Sequence, residues 1–287
     1  MGRLSFSASR IFGLVGLVLS CCAANAAKVT EVSLRSELMD KSVPLVVVLP
    51  DDYETSTNRY PVVYLFHGAG GNCHTYERQG WPQAGVDAHG FIVVAPDGAA
   101  TSWWIDSPVD PAFKYESHVI REIVPYVDAH YRTIPDRAHR AACGASMGGH
   151  GAATMAINHR DLFSVLGMLA PGVDLRPFAD RWEIKKRLGT IQEHPDYWKD
   201  YSVLTRAADL RNGELAIITV IGTSDFFLLP NRSLHTLLSD NGVAHTYIEI
   251  RGATQNESSH HFDFSAKAYP IVFRFVAEQF ERKGKTK

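Results

Sequence analysis

The chain has 287 residues, of which 45% are hydrophobic and 21% charged, a composition too apolar for an intrinsically disordered protein. Its 29 basic and 31 acidic residues are well mixed and give a formal net charge of −2, so nucleic acid is not an expected partner. Four cysteines in this length exclude a disulfide-rich scaffold. The length suits one large α/β domain or two small ones.

The first 26 residues follow the plan of a secretory signal peptide. Arg3 and Arg10 form a basic region, residues 11–19 form an apolar run, and Ala24-Asn25-Ala26 offers a cleavage site. The apolar run is too short to span a bilayer, which needs about 20 residues. We therefore expect an exported chain, periplasmic or secreted, without a transmembrane segment. The alternative for this stretch is a buried first helix.

The cysteines add a second possibility for the N-terminus. Val18-Leu19-Ser20-Cys21 loosely resembles a bacterial lipobox, in which Cys21 would carry a lipid anchor, although leucine at the second position departs from that motif. After cleavage at Ala26, Cys73 and Cys143 would remain. Cys143 ends an apolar run and Cys73 lies in a loop, so we expect free thiols, although a cysteine pair in an exported protein could also form a disulfide.

Beyond residue 40, short apolar runs alternate with helical patterns. Several runs are continuously apolar, which is typical of strands buried on both faces of a mostly parallel sheet. The predicted strands are residues 45–49, 62–66, 92–95, 140–143, 165–169, 217–221 and 247–250. The predicted helices are residues 116–131, 149–158, 231–240 and 269–280. This alternation predicts one α/β domain over residues 27–287, with a doubly wound sheet and helices on both faces.

Residues 171–212 interrupt the alternation. This segment contains Trp182, Tyr197 and Trp198 among several basic residues, and it shows no clear strand. Ligands of α/β sheets bind at the carboxyl ends of the strands, so the insertion could be a lid or a wall of the substrate site. An ordinary surface excursion fits the sequence equally well.

The predicted chemistry centres on Ser146. Gly144-Ala145-Ser146-Met147-Gly148 is a G-x-S-x-G motif between a predicted strand and a helix of small residues. That context is typical of a nucleophile elbow, in which a tight turn strains the serine backbone and aims the hydroxyl into a cleft. The helix N-terminus offers N–H groups to a developing oxyanion. The alternative is a glycine-rich packing turn.

A serine nucleophile needs a histidine base and an acid that orients the base. In α/β-hydrolases the chain order is serine, acid, histidine. Asp225 follows a late predicted strand, which favours it as the acid; Asp174 is its competitor, and a helix N-cap is its alternative role. The base should be His260 or His261, which are adjacent in the loop after the last predicted strand, and spacing alone does not choose between them.

The oxyanion needs two N–H donors. Met147, immediately after the serine, is the first candidate. The loop His67-Gly68-Ala69-Gly70-Gly71 follows an early predicted strand, and its glycines let the backbone approach a substrate, so Ala69 is the second candidate. Phosphate binding by this loop is not expected, because no G-K-[ST] sequence follows it.

Three aromatic residues in loops before the elbow could line the substrate pocket: Trp103, Trp104 and Tyr115. Aromatic walls suit a feruloyl group or the face of a sugar. These residues suit the hydrophobic core equally well. We expect no metal site, because the sequence shows no pair of ligands at metal-binding spacing among His67, His74, His118 and His150.

Taken together, the motifs resemble the esterase D family. The resemblance rests on residues 65–72 (LFHGAGGN), 96–98 (PDG), 114–116 (KYE), 144–149 (GASMGG), 221–226 (IGTSDF) and 231–232 (NR), and it runs over most of residues 40–280. That family includes S-formylglutathione hydrolases, tributyrin, feruloyl and acetylxylan esterases, and the antigen 85 mycolyltransferases. Membership would imply an α/β-hydrolase fold.

The resemblance also bears on the choice of histidine. The family's histidine is followed by a small or polar residue and then an aromatic one, as in G-x-H-x-W. Ser258-Ser259-His260-His261-Phe262 fits this pattern with His260 as the base. Two departures are that Ser258 replaces the glycine and Phe262 replaces the tryptophan.

The same resemblance implies roles and an activity. Asp225 matches the family acid, and Ala69 and Met147 match its oxyanion donors. The implied activity is hydrolysis of carboxylic esters with short-chain, acetyl or feruloyl acyl groups, through Ser146, Asp225 and His260 and an acyl-enzyme. The expected partner is a small-molecule or carbohydrate ester, and no cofactor is needed. The alternative activity is acyl transfer to a sugar or another hydroxyl group, and a binding protein without catalysis is a weaker rival.

Overall fold

The computed structural model describes residues 27–251 and 262–284. Four sequence-based expectations lie outside these residues: the signal peptide over residues 1–26, the lipid anchor at Cys21, and the candidate bases His260 and His261. Within the described residues, no helix has the length and apolar character needed to cross a bilayer.

Eight strands form one sheet in the described part of the chain. They are β1 (Lys28–Ser36), β2 (Lys41–Leu49), β3 (Val62–Phe66), β4 (Ile92–Pro96), β5 (Arg140–Ala145), β6 (Val165–Leu169), β7 (Ala216–Gly222) and β8 (His245–Ile250). Their order across the sheet is β1-β2-β4-β3-β5-β6-β7-β8. The β1–β2 and β2–β4 pairs are antiparallel, and all other neighbouring strands are parallel.

Helices cover both faces of this sheet. They are α1 (Trp81–His89), α2 (Tyr115–His118), α3 (Val124–His130), α4 (Met147–Asn158), α5 (Ile184–Leu188), α6 (Pro195–Asp200), α7 (Val203–Ala207), α8 (Leu228–Asp240) and α9 (Phe262–Gly284). In one layer α1 packs against α9, and in the other α4 packs against α2 and α7 while α7 packs against α8. The predicted doubly wound, mostly parallel α/β architecture is therefore confirmed.

The burial of the central strands explains why the sheet could be predicted from the sequence. Every residue of β3, β4 and β6 is buried, because helices cover both faces there. All seven predicted strands are present. The strand β1 was not predicted: it lies at the edge of the sheet, and its residues alternate between exposed and half-buried positions.

The four predicted helices are present and differ from the predictions mainly at their ends, whereas α1, α5, α6 and α7 were not predicted. The predicted helix over residues 116–131 is present as α2 and α3 joined by the π-helical turn Val119–Ile123. Pro125 in the first turn of α3 lacks an N–H and crowds the preceding carbonyls, which accounts for the wider turn. Helix α9 begins seven residues before the predicted start and continues through Pro270.

The insertion over residues 171–212 contains the 3-10 turn Arg176–Phe178 followed by α5, α6 and α7, without a strand. It connects β6 to β7. Cys73 and Cys143 are both buried as free thiols, and an added Cβ on Gly167 would lie 2.8 Å from the sulfur of Cys143.

Candidate active site

Ser146 occupies a strained turn between β5 and α4. Its backbone angles are φ 58° and ψ −120°, a region that non-glycine residues adopt only when their surroundings force them to. Its N–H donates to Leu169 O at 2.9 Å, and its carbonyl oxygen accepts from the N–H groups of His150 at 3.1 Å and Gly172 at 3.2 Å. These bonds hold the turn from three sides, so the predicted elbow geometry is present.

The glycines of the motif make room for this turn. A Cβ added to Gly144 would lie 2.3 Å from Gly148 O, and one added to Gly148 would lie 1.9 Å from Phe66 O. The end of β3 therefore passes directly against the elbow. The role of these two glycines is steric, because no larger side chain fits between the strand and the helix.

Ala69 and Met147 are brought to the same place as Ser146. The N–H of Met147 is in the first turn of α4, where N–H groups have no intrahelical acceptor. In the loop after β3, Gly70 N–H donates to Ala100 O at 2.7 Å, whereas the Ala69 N–H has no acceptor among the described residues. Ala69 and Ser146 line one cavity, so the arrangement suits an oxyanion hole.

His67, which was not among the predicted site residues, fixes the glycine-rich loop after β3 (residues 67–71), which we call the oxyanion loop. Its Nε2 accepts from Gly98 N–H at 2.8 Å, so its Nδ1 carries the proton and donates to Gly68 O at 2.9 Å. Burial lowers the pKa of His67, which keeps the ring neutral and preserves both bonds. Both bonds go to backbone atoms, so no sequence motif reveals them.

The three aromatic residues considered as pocket walls belong to the core: Trp103, Trp104 and Tyr115. Their exposed fractions are 1%, 0% and 2%. None of them lines the cavity beside Ser146. This burial favours the core alternative for all three rings over the pocket-wall alternative.

Trp104 instead supports the oxyanion loop from behind. Its ring packs against Phe66 and His67, with centroids 4.8 and 5.0 Å away, and its Nε1 donates to His67 O at 3.1 Å. Gly98 and Gly151 leave space for this ring: a Cβ added to either would come within 2.5 Å of it. Trp104 is therefore structural and acts on the site through His67.

A cavity of about 400 Å³ opens beside Ser146, within the size range of small-molecule sites. It is lined by Gly68, Ala69, Gly70, Gly71, Thr75, Tyr76, Gln79, Trp81, Ala145, Ser146, Leu169, Ala170, Phe264 and Ser265. The rings of Tyr76 and Trp81 lie 5.9 Å apart, and Tyr269 stacks on Trp81 at 5.1 Å. The only sequence signal for Tyr76 and Trp81 is their position shortly after the glycine-rich loop.

Asp225 follows β7 and is 6% exposed. Its Oδ1 accepts from Phe227 N–H at 2.7 Å, which is an Asx-turn that fixes the carboxylate. The Nδ2 of Asn231 donates to Phe227 O and to Pro171 O at 2.9 Å each, and so ties this loop to the segment after β6. Asn231 is buried and was not predicted as a site residue.

The competitor Asp174 has a different environment. Its two carboxylate oxygens accept from Nε and Nη2 of Arg176 at 2.8 and 2.9 Å. This bidentate pair raises the pKa of Arg176. Asp174 therefore has a local structural partner, and Asp225 is the better candidate for the acid.

His150, one helical turn after Ser146, is a second positioning histidine. Its Nδ1 donates to Gly172 O at 2.9 Å, and Gly172 N–H in turn donates to Ser146 O. Complete burial lowers the pKa of His150 to about 4, so the ring is neutral. The neutral ring holds Gly172 against the elbow.

We predict that His150 makes the fold sensitive to mild acid. In the unfolded chain His150 has a pKa of about 6.5, so below this pH it binds a proton there, whereas in the folded chain it stays neutral down to about pH 4. The free energy of unfolding therefore falls as the pH decreases from about 6.5 toward 4. Between pH 7 and 5 this loss is about 2 kcal/mol. His150→Asn keeps an N–H donor and cannot titrate, so chemical denaturation at the two pH values should show a loss smaller by that amount. His130→Asn, which changes an exposed histidine, is the matched control, and an equal loss in wild type and His150→Asn would contradict the prediction.

The chain matches a family model named Esterase, described as "Putative esterase", over residues 36–274. Esterase Rv1288 of Mycobacterium tuberculosis (strain ATCC 25618 / H37Rv) is 37% identical over 123 residues, which cover 41% of this chain and 26% of that protein. S-formylglutathione hydrolase of Bos taurus is 26% identical over 219 residues, which cover 69% of this chain and 74% of that protein. The chain thus spans about a quarter of the Mycobacterium relative.

Solved structures resemble the whole described fold. A ferulic acid esterase superposes with a TM-score of 0.74 at 24% identity, covering 89% of this chain and 98% of that one. An S-formylglutathione hydrolase from Agrobacterium tumefaciens gives 0.75 at 20% identity, covering 90% and 97%. At these identities the likeness concerns the fold, which is that of the α/β-hydrolases. Because the family model covers well over half of its length, this chain belongs to the esterase family.

Proposed function

We propose that the protein hydrolyses carboxylic esters, with Ser146 as nucleophile, Asp225 as acid and His260 as base. The observation that carries the proposal is the left-handed backbone of Ser146, φ 58°, at the edge of a cavity. Strained backbone conformations of this kind cluster at functional sites. In a nucleophile elbow the strained turn exposes the serine hydroxyl to the substrate. Family membership supports the same reaction class.

The proposed mechanism follows from these positions. The histidine accepts the hydroxyl proton as Ser146 Oγ attacks the ester carbonyl, and Asp225 holds the imidazole and stabilises its cation. The N–H groups of Ala69 and Met147 hold the oxyanion, each contributing about 3 kcal/mol. The bond to the alcohol breaks as the imidazolium gives its proton to the leaving oxygen. Water then cleaves the acyl-enzyme by the reverse proton transfers and releases the acid.

The start of α9 supports a base from the preceding stretch of sequence, residues 252–261. Phe264 and Ser265, at the start of α9, line the cavity beside Ser146. His260 is four residues before Phe264 in the sequence, and four residues span at most about 14 Å, so the length of chain permits a base at His260. His261 satisfies the same limit, and the family pattern of a histidine followed two residues later by an aromatic favours His260.

The cavity also bears on the acyl group. Its walls combine the rings of Tyr76 and Trp81 with the polar side chains of Thr75 and Gln79. Such a lining fits a short acyl chain or a planar aromatic acid such as a feruloyl group. Relatives named feruloyl esterase and S-formylglutathione hydrolase support acyl groups of this size range.

The direct test of the activity is Ser146→Ala. We expect hydrolysis of p-nitrophenyl esters to fall by at least about 10³-fold, because the nucleophile is lost while the turn remains. Ser233→Ala, which changes an exposed serine of α8, should keep wild-type turnover. Residual activity above a few per cent in Ser146→Ala would overturn the nucleophile. Acyl transfer to an added sugar in preference to water would replace hydrolysis with the acyltransferase alternative.

Single substitutions distinguish between His260 and His261 as the base. We expect His260→Ala to lower kcat by about 10³-fold or more, because it removes the base, and His261→Ala to keep kcat within about tenfold of wild type. Steady-state kinetics on one ester, with melting temperatures as a check of folding, would decide. The opposite pattern would assign the base to His261.

The export signal stays a proposal as well. We propose that residues 1–26 direct export and that cleavage after Ala26 yields the mature chain. The intact mass of the protein recovered from a bacterial periplasm should correspond to a chain that starts at Ala27. A lipid-modified chain starting at Cys21 would establish the lipoprotein alternative instead, and an unprocessed chain in the cytoplasm would contradict both.

A further inference from the structure

Three half-buried aromatic side chains gather at the side of the site that carries Asp225. Phe178 and Trp182 come from the insertion, and Phe226 comes from the loop after β7. Their ring centroids are 5.3 to 5.9 Å apart, and the planes of Trp182 and Phe226 are inclined by only 30°. We call these three residues the aromatic shelf. None of them lines the cavity on the oxyanion side of Ser146.

The aromatic shelf lies close to the reacting serine. Beneath it, the buried ring of Phe227 is 4.8 Å from that of Phe178 and 5.7 Å from that of Trp182. A Cβ added to Gly172 would lie 3.4 Å from Phe227, and Gly172 N–H donates to Ser146 O at 3.2 Å. One layer of packing therefore separates the shelf from the elbow.

The backbone that presents the shelf is strained. Trp182 and Glu183 both have left-handed angles, φ 46° and 56°, which non-glycine residues rarely adopt. Trp103 Nε1 donates to Trp182 O at 3.2 Å, and Thr101 Oγ1 donates to Glu183 Oε2 at 3.0 Å. These specific hydrogen bonds hold the strained backbone and thereby fix the position of Trp182 in the shelf.

The residues that hold the shelf also hold the oxyanion loop. Thr101 and Trp103 belong to the loop over residues 97–105. From the same loop, Ala100 O accepts from Gly70 N–H at 2.7 Å, and Gly98 N–H donates to His67 Nε2 at 2.8 Å. One loop thus fixes the spacing between the shelf and the oxyanion donors, as a substrate that contacts both would require.

We propose that the aromatic shelf binds a ring in the leaving alcohol of the substrate, an inference that rests on the proposed ester hydrolysis. In that reaction the imidazolium protonates the leaving oxygen, and Asp225 holds the imidazole, so the alcohol departs on the Asp225 side. Phe226 directly follows Asp225. The acyl group stays on Ser146 beside the cavity. Flat aromatic faces at this position stack on a benzene ring or on the apolar face of a sugar ring.

The test uses three acetate esters of primary alcohols, so that the acyl group is constant and the leaving groups are similar: ethyl acetate, 2-phenylethyl acetate and a methyl 6-O-acetylglucoside. For wild type, kcat/KM should be higher for one of the two ring-containing esters than for ethyl acetate, by up to about tenfold. Trp182→Leu and Phe178→Leu should each reduce this ratio of kcat/KM values severalfold, mainly by raising KM for the ring-containing ester. Tyr197→Leu is the matched control, because Tyr197 is a half-buried aromatic of the same insertion whose ring stacks on His194. It should leave the ratio unchanged.

The outcomes separate the shelf from the esterase proposal. Preference for the phenylethyl ester or for the sugar ester identifies the ring that the shelf binds. Equal kcat/KM for all three esters in wild type overturns the shelf while leaving ester hydrolysis intact. A ratio that does not change in either leucine variant, with both folded by thermal melting, also overturns it; if one variant fails to fold, the other carries the comparison. No turnover of any ester by folded wild type overturns both proposals.

Discussion

The site depends on one steric constraint, the close passage of β3 behind the turn from β5 to α4. The carbonyl oxygen of Phe66 would lie 1.9 Å from any Cβ at Gly148. Glycine is therefore required in the first turn of α4, and Ser146, between β5 and α4, adopts φ 58° and ψ −120°. The proposed nucleophile is therefore positioned by backbone packing, and it is held there by its N–H bond to Leu169 O and by the N–H groups of His150 and Gly172, which donate to its carbonyl oxygen.

A second set of hydrogen bonds connects the loops that surround the elbow. The loop over residues 97–105 bonds to His67 and Gly70 on the oxyanion side and to Trp182 and Glu183 on the insertion side. On the acid side, Asn231 bridges Pro171 and Phe227. These hydrogen bonds link the oxyanion loop, the loop that carries Asp225 and the insertion to one another, and Gly172 N–H links the insertion to Ser146 O. Such cross-links supply the preorganisation on which electrostatic stabilisation of an oxyanion relies.

The sequence predicted those parts of the molecule that have a period or a fixed motif. Buried parallel strands read as continuous apolar runs, so seven strands were found, whereas β1 pairs only with β2 at the edge and carries a mixed face. Ser146, Met147 and Ala69 could be proposed as site residues because the spacing of the glycines around them is dictated by sterics. The sequence did not decide between core and pocket for Trp103, Trp104 and Tyr115, because an aromatic residue in a loop belongs to no periodic pattern that would distinguish the two. His67, His150 and Asn231 each make one hydrogen bond to a backbone atom at least 22 residues away along the chain, which no local pattern records.

The most direct test of the central claim is covalent labelling of the folded protein with a fluorophosphonate, followed by mass spectrometry of the digested chain. A serine made nucleophilic by its base reacts with such a probe, whereas ordinary surface serines do not. We predict one adduct, on the peptide that contains Ser146, with loss of esterase activity in proportion to labelling and no adduct in Ser146→Ala. Labelling of another serine, or ester hydrolysis that persists when Ser146 is fully modified, would contradict the account.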